Sequence, residues 1–244
     1  MTRATVLGIS GSPRRGANTT IMVRQALEAA GSVEGVETRL YEFAGKRIKP
    51  CRDCGKCEET GLCIIRDDLE GFLSEYRAAD GVIWGTPVYI MSIPASMKAA
   101  IDRMLNSEVS YILSHDLTPL RPTKVCGTLA VGYHRNGGEE LTLSSLINTS
   151  LVSGNVVVSG DATTGAYIGG ACWSGLVEGE SNRDAVLRDE VGLKTVRSVG
   201  QRVAELTLVV VAGRTTLGDR LPPEYSISAA RPVPAAPDVP QRED

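Results

Sequence analysis

Short apolar runs alternate with longer amphipathic segments along most of the chain. Buried parallel strands are brief and apolar on both faces, whereas helices place apolar residues three or four positions apart. The runs therefore predict strands at Thr5–Ile9, Val36–Phe43, Gly81–Gly85, Lys124–Val131 and Asn155–Ser159. This alternation predicts an α/β protein in which a five-stranded parallel sheet carries helices on both faces.

The segments between the predicted strands contain residues that are typical of helix termini. Asn18 is expected to cap the first helix, which should end near Ala30 with Gly31 as its stop. Pro94 is expected to open a helix because its fixed φ suits the first turn. The predicted helices after the first run from Asp67 to about Ala79, from Ala95 to about Leu105, from Gly138 to about Thr149 and from Asp184 to about Val211.

The C-terminal part of the chain differs in composition from the rest. Residues 161–182 hold many Gly, Ser and Thr and predict a long loop. From Thr215, and above all from Arg231, proline and charged residues replace apolar ones, which predicts an extended or disordered tail. The expected division is a domain at residues 1–213 and a tail at 214–244, and in an oligomer the loop and the tail could contribute to a neighbour's site.

The charge balance and the apolar runs exclude several classes of partner. The 244 residues include 26 Lys and Arg and 29 Asp and Glu, for a formal net charge of -3. No block of five basic residues occurs, so nucleic acid is not an expected partner. No apolar run reaches about 18 residues, and the N-terminal residues lack a secretory signal pattern. We therefore expect a cytoplasmic protein without a membrane span.

The loop after the first predicted strand is rich in glycine and short polar residues. Ligands of open α/β sheets bind at this edge, and the N-terminus of the following helix favours an anion. The side chains that could hold a phosphate here are Ser10, Ser12, Arg14, Asn18, Thr19 and Thr20. Neither the P-loop nor the dinucleotide glycine pattern is present, which favours a mononucleotide. The alternative is an ordinary turn that caps a helix.

Two later loops lie at the same edge of the predicted sheet. The three loops read GSPRRGANTT, GTPVYIMSIPASMKAAIDR and GYHRNGGEE, and they resemble the FMN-contacting loops of the NAD(P)H-dependent FMN reductase family over about residues 4–150. The resemblance implies a flavodoxin-like, doubly wound fold with FMN as cofactor and its phosphate on the first loop. It also implies that Pro87, Val88, Tyr89 and Ile90 lie along the flavin, while Gly132, Asn136, Gly137 and Gly138 close over its other edge.

The third loop also contains ionisable side chains. His134 is one of two histidines in the chain and is the candidate catalytic residue, because an imidazole there could protonate a substrate or donate to the flavin. The alternative is an exposed histidine without a role. Arg135 could hold a substrate carboxylate. His115 lies in an unassigned stretch and carries less weight.

Four of the six cysteines, Cys51, Cys54, Cys57 and Cys63, lie within thirteen residues. The C-x2-C-x2-C-x5-C spacing can place three thiolates around one corner of a [4Fe-4S] cubane and leave the last for the fourth iron. Zinc is the main alternative, although its sites usually pair two C-x2-C units across a longer spacer. Redox disulfides are a further alternative.

The cysteine segment, at residues 46–66, also resembles the compact motif of iron-sulfur flavoproteins, a branch of the same family in which a [4Fe-4S] cluster lies close to FMN. Cys126 is expected in the core, and Cys172 has no evident partner. Five basic residues surround the four clustered cysteines and either offset a negative cluster or form a solvated face: Lys46, Arg47, Lys49, Arg52 and Lys56.

The first functional hypothesis is an FMN-dependent oxidoreductase that couples two-electron flavin chemistry on a small molecule to one-electron transfer through a [4Fe-4S] cluster. Within the resembling group, the substrate could be an aminodeoxychorismate-type ring acid that is dehydrogenated, or the partner a ferredoxin-like electron carrier. The resemblance also implies a homodimer or homotetramer. The alternatives are an NAD(P)H-dependent FMN or quinone reductase with structural cysteines, and a noncatalytic electron carrier or zinc-containing flavin module.

Overall fold

The computed structural model describes residues 2–117, 123–134, 136–175 and 183–225. The strands are β1 (Ala4–Ser10), β2 (Val36–Glu42), β3 (Gly81–Pro87), β4 (Val125–Gly132), β5 (Val156–Val157) and β6 (Gly170–Trp173). The α-helices are α1 (Asn18–Gly31), α2 (Cys57–Thr60), α3 (Leu69–Ala78), α4 (Ala95–Ser114), α5 (Glu139–Val152) and α6 (Glu190–Leu217). Short 3-10 turns occupy Ala185–Arg188, Gly218–Arg220 and Pro223–Tyr225.

The described strands form one parallel sheet in the order β2-β1-β3-β4-β5, and β6 also pairs with β4. This is the doubly wound order of flavodoxin-like proteins, in which strand order reverses between β1 and β3. The prediction of a five-stranded parallel sheet is confirmed. Ligands of this fold bind at the carboxyl ends of the strands beside that reversal, so the loops after β1 and β3 are placed for a site.

The fifth position of the sheet is shared by two short strands. β5 pairs with Val125 and Cys126, and β6 pairs farther along the same strand with Leu129–Gly132. The predicted strand at Asn155–Ser159 is therefore only two residues long. The prediction of an unbroken loop at 161–182 was wrong for β6, because its backbone finds partners on β4 despite the glycine-rich sequence around it.

Two apolar clusters cover the two faces of the sheet. On one face α1 and α6 pack against Val6, Ile83 and Leu129. On the other face α3 and α4 pack against Leu7, Trp84 and their neighbours. Burial of these aliphatic and aromatic side chains supplies the main driving force for folding. The sheet is thus covered by helices on both faces, as the apolar pattern predicts.

Three helix ends differ from the predicted ones. α1 begins at Asn18 itself, whose Oδ1 accepts a hydrogen bond from the Val186 N–H at 3.0 Å instead of capping the helix. α4 continues to Ser114, well beyond Leu105, and α6 ends at Leu217 rather than near Val211. Residues 226–244, most of the predicted tail, lie outside the described residues. Among the helices that are described, none has the length and hydrophobicity needed to cross a bilayer.

Two glycines of α6 are expected to respond in opposite ways to the same substitution. A methyl group at Gly200 would overlap the carbonyl oxygen of Ala26 on α1, so Gly200→Ala should destabilise the protein by about 1–3 kcal/mol. A methyl group at Gly213 meets no atom within 4 Å, so Gly213→Ala should stabilise it by about 0.5–1 kcal/mol through helix propensity. Urea unfolding of both variants measures the changes, and shifts of the same sign would contradict this packing of α1 on α6.

Candidate flavin and cysteine sites

The first loop, between β1 and α1, is held by a chain of side-chain hydrogen bonds. Ser10 Oγ lies 2.9 Å from Thr20 Oγ1, and that hydroxyl donates to Glu42 Oε1 at 2.8 Å. Because the Thr20 proton is directed at the carboxylate, Ser10 is the donor of the first bond. Glu42 also accepts the Gly16 N–H at 3.3 Å. Glu42 lies at the end of β2 and was not singled out from the sequence.

The other predicted phosphate ligands surround the N-terminus of α1. Ser12 and Thr19 are buried, and Ser12 Oγ accepts the Arg14 N–H at 3.1 Å. The Gly11 N–H donates to the Gly85 carbonyl oxygen at 2.8 Å, which fixes this loop against the end of β3. The partial positive charge of a 14-residue helix therefore faces a loop of short polar side chains. Such an arrangement suits an anion.

The second loop follows β3 and forms a tight turn. Tyr89 and Ser92 exchange backbone hydrogen bonds of 2.8 and 3.1 Å, and the two residues between them have positive φ angles of 47° for Ile90 and 61° for Met91. A β-branched residue in this conformation is strained. Ile90 is 98% exposed, and Tyr89 and Met91 are about half exposed. The turn presents an apolar surface at the edge of the sheet.

The third loop, after β4, lies against the second. Gly138 has a φ of 106°, and a Cβ there would lie 2.8 Å from the Met91 Cα, so both the backbone conformation and the contact require glycine. The buried Glu139 accepts the Gly137 N–H at 2.9 Å and fills the space beside Gly132. The loops after β1, β3 and β4 thus meet at one edge of the sheet.

The four clustered cysteines line a single cavity of about 140 Å³. Cys51 and Cys54 are exposed, while Cys57 begins α2 and is partly buried together with Cys63. The opposite wall belongs to α4, through Arg103, Asn106, Ser107 and Ser110. In the part of the chain that the structure describes, no three His, Cys, Asp or Glu side chains are close enough to hold a single metal ion. The four cysteines thus line the walls of a cavity and do not converge on one position.

Comparison with known proteins gives the family. Residues 4–167 match the family described as NADPH-dependent FMN reductase. An iron-sulfur flavoprotein of Methanocaldococcus jannaschii is 38% identical over 205 residues, which cover 84% of this chain and 98% of that protein. This chain belongs to the NADPH-dependent FMN reductase family. Another iron-sulfur flavoprotein, from Methanosarcina thermophila, is 34% identical over 209 residues, 86% of this chain and 98% of that protein.

Solved structures confirm the fold of this FMN reductase family member. The NAD(P)H:quinone oxidoreductase from Methanothermobacter marburgensis superimposes with a TM-score of 0.55 at 17% identity, over 83% of this chain and 96% of that one. A WrbA-like flavodoxin from Agrobacterium tumefaciens gives a TM-score of 0.53 at 20% identity, over 84% and 97%. The family assignment confirms the prediction of an FMN-dependent oxidoreductase and places the chain with the iron-sulfur flavoproteins.

Arg103 is a charged side chain beside the cysteines that sequence reasoning missed. It is 1% exposed, and its Nε donates to Cys63 Sγ at 3.2 Å. Its Nη1 donates to Asp67 Oδ2 at 2.6 Å and to the Lys49 carbonyl oxygen at 3.1 Å, and its Nη2 donates to the Ile65 carbonyl oxygen at 2.9 Å. Burial by itself lowers the pKa of Arg103, but its hydrogen bonds to Asp67 and Cys63 outweigh burial and raise it.

The cysteine thiols differ in environment. Burial raises the pKa of the Cys57 thiol, and a contribution from Ser110 opposes that rise. The negative charges of the Cys63 and Cys54 thiolates raise the Cys57 pKa further. Burial raises the pKa of Cys126 in β4 to about 12, which suits the predicted core residue. Cys172 is also buried, in β6. All six cysteines are free thiols.

The remaining predicted residues are placed as follows. His134 is exposed, and the edge of its ring meets the Tyr133 ring with the centroids 4.9 Å apart. Arg135 lies outside the described residues. Of the five basic residues around the cysteines, Lys56 pairs with Glu59 at 3.1 Å and Lys46 lies 5.8 Å from the centroid of the Tyr41 ring. The backbone N–H groups of Arg47 and Lys49 donate to Asp68 and Asp67.

Proposed function

We propose that this oxidoreductase couples two-electron exchange between FMN and a small molecule to one-electron exchange through a [4Fe-4S] cluster on Cys51, Cys54, Cys57 and Cys63. The observation that carries the proposal is the single cavity lined by all four cysteines, whose far wall is the helix that starts at the flavin loop. The names of the relatives support it.

The chain's own residues fit FMN. The short polar side chains and the α1 N-terminus suit a phosphate, with Ser10, Ser12, Arg14, Asn18, Thr19 and Thr20 as the proposed ligands. Glu42 already accepts the Gly16 N–H and the Thr20 hydroxyl, and Ser10 donates to Thr20, so these hydroxyls would have to turn toward the phosphate when it binds. Pro87, Val88, Tyr89 and Ile90 would line one side of the flavin, and Gly132, Asn136, Gly137 and Gly138 the other. The contact between Gly138 and Met91 supports this arrangement because it brings both loops to one place.

The donor set of the cavity fits a cluster better than a single ion. A tetrahedral zinc ion with Zn–S distances near 2.3 Å would hold its four sulfurs within about 4 Å of one another. Four thiols around a space of about 140 Å³ instead suit a ligand with a volume of its own. When bound, FMN and the cluster would supply two-electron and one-electron chemistry respectively.

The substrate and the partners form the outer part of the proposal. His134 would hold the proton for a substrate at the open edge of the flavin site, and a residue such as Arg135 would hold a substrate carboxylate, as in an aminodeoxychorismate-type ring acid. Two of the cysteines are exposed, and the basic residues of the same segment are exposed as well, which suits an acidic, ferredoxin-like carrier. The exposed apolar turn at Tyr89–Met91 supports a homodimer or homotetramer, since such side chains are commonly covered in assemblies.

Anaerobic purification followed by absorption spectroscopy and metal analysis tests the proposal. We expect flavin bands on a broad iron-sulfur absorption and about four iron atoms per chain, as a cubane on four cysteines requires. A flavin spectrum with about one zinc and no iron would contradict it. In that case, reduction of the flavin by NAD(P)H would favour a reductase with structural cysteines.

A further inference from the structure

We propose that one face of α4 donates hydrogen bonds to the cysteine ligands and raises the reduction potential of the cluster, with Arg103 as the positioning residue for Cys63. The inference rests on the proposed function, because it assumes that the four cysteines hold the cluster. It concerns side chains of α4 that contact the cysteines. Neither the spacing of the cysteines nor the resemblance to known families identifies these side chains.

The orientation of Arg103 is fixed by all three of its nitrogen atoms. The guanidinium is planar, so bonds from Nη1 to Asp67 and from Nη2 to the Ile65 carbonyl leave Nε only one direction, toward Cys63 Sγ at 3.2 Å. A buried cation is costly unless it is paired and its hydrogen bonds are satisfied. Both conditions are met here, because the Asp67 side chain is only 5% exposed and lies within an ion-pair distance of 2.6 Å.

The same guanidinium connects both ends of the cysteine segment to α4. The Lys49 carbonyl precedes the first cysteine, and the Ile65 carbonyl follows the last one. Asp67 in turn accepts the Lys49 N–H at 2.8 Å, which closes the segment at its base. The cysteine loop is therefore anchored to α4 at both of its ends by protein contacts.

A second donor lies one turn farther along α4. Asn106 Nδ2 is 3.8 Å from Cys51 Sγ, and Ser110 lines the same cavity one turn beyond it. Positions 103, 106 and 110 are spaced by three and four residues, so they lie on one face of the helix. This face thus reaches two of the four proposed ligands, Cys63 and Cys51, through different side chains.

Donors and positive charge beside thiolate ligands favour the more negative, reduced form of a cluster and so raise its reduction potential. Arg103→Lys keeps a cation but cannot reproduce the planar set of donors. We expect the equilibrium constant for one-electron reduction to fall about tenfold, which is equivalent to ~59 mV. The exposed Asn106→Ala should cause a smaller fall with full iron content, since it removes one donor without a packing change.

A third variant separates an electrostatic role from a purely structural one. Asp67→Asn removes a negative charge but keeps an amide oxygen that can accept the hydrogen bond from Arg103, so the potential should rise, opposite in sign to Arg103→Lys. Asp102→Asn is the matched control, because Asp102 is also on α4 but pairs with Lys98 and does not line the cavity. It should leave the potential unchanged.

The measurement is a dithionite titration of the anaerobic full-length protein, monitored by the electron paramagnetic resonance signal of the reduced cluster, together with iron content. Opposite shifts for Arg103→Lys and Asp67→Asn support the proposal. If Arg103→Lys purifies without iron, the potentials of Asn106→Ala and Asp67→Asn test the proposal instead. A wild-type reduction potential in both variants would overturn the proposal. Wild-type protein without iron would contradict the proposed function itself. If the variants contain iron but all have the wild-type reduction potential, only this inference is contradicted.

Discussion

Replacing Cys54 with serine is expected to remove nearly all iron from the purified protein while leaving its FMN content unchanged. Serine keeps the size of the side chain but loses the thiolate that binds iron. Cys54 is exposed, so the substitution costs little packing, and it lies on the cysteine segment rather than on any of the flavin loops. Iron, acid-labile sulfide and flavin are measured on the same anaerobic preparation.

Cys172→Ala is the control for that experiment. Cys172 is a free thiol in β6, outside the cysteine cavity, so its loss should leave iron at the wild-type level. Iron retained in Cys54→Ser would show that Cys54 is not a ligand. A parallel loss of iron and FMN from Cys54→Ser would show that the two sites depend on each other for folding.

Arg14→Gln is expected to weaken FMN binding by about ten- to a hundredfold. A hydrogen bond to a charged group contributes about 1.5–3 kcal/mol, and each 1.4 kcal/mol corresponds to about a factor of ten in affinity. The substitution removes a cation from the loop between β1 and α1. The carboxylate of Glu42, which accepts the Gly16 N–H, already places a negative charge beside this loop. Fluorescence titration of the flavin-free protein with FMN measures the change.

Riboflavin and a neighbouring arginine provide the controls. Riboflavin lacks the phosphate, so its affinity should be the same for wild type and Arg14→Gln. Arg15 is exposed and its Nη2 donates to the Ala44 carbonyl oxygen at 3.5 Å, so Arg15→Gln should bind FMN nearly as wild type does. Equal losses for FMN and riboflavin in Arg14→Gln would place its effect on the fold of the loop rather than on the phosphate.

The fold was largely predictable because the central strands β1, β3 and β4 are apolar, buried runs that alternate with helical segments, a pattern typical of a parallel sheet. The exception is β6. Gly170–Trp173 has no apolar alternation of its own and becomes a strand only because β4 extends beyond β5 and offers free backbone partners. Pairing between distant segments decides such a strand, and local sequence does not contain that information.

Some residues of the candidate site could also be predicted from local sequence, and others could not. The four cysteines and the three loops are local motifs, so their spacing and composition revealed them. Arg103, Glu42 and Glu139 are charged side chains whose roles depend on partners elsewhere in the fold. Arg103 lies 40 residues from Cys63 and 36 from Asp67 in sequence. A charged residue on a predicted helix is usually solvated, so only the structure reveals that this one is buried.

The length of α4 has a consequence for evolution and design. The helix starts immediately after the flavin loop and reaches Arg103 eight residues later, about 12 Å along its axis at 1.5 Å per residue. One inserted residue between Ala95 and Arg103 would turn the donor face by about 100° away from the cysteines. The number of helical turns in α4 therefore sets the distance between the proposed flavin and cluster sites, and this distance can change only through insertions that restore the same face.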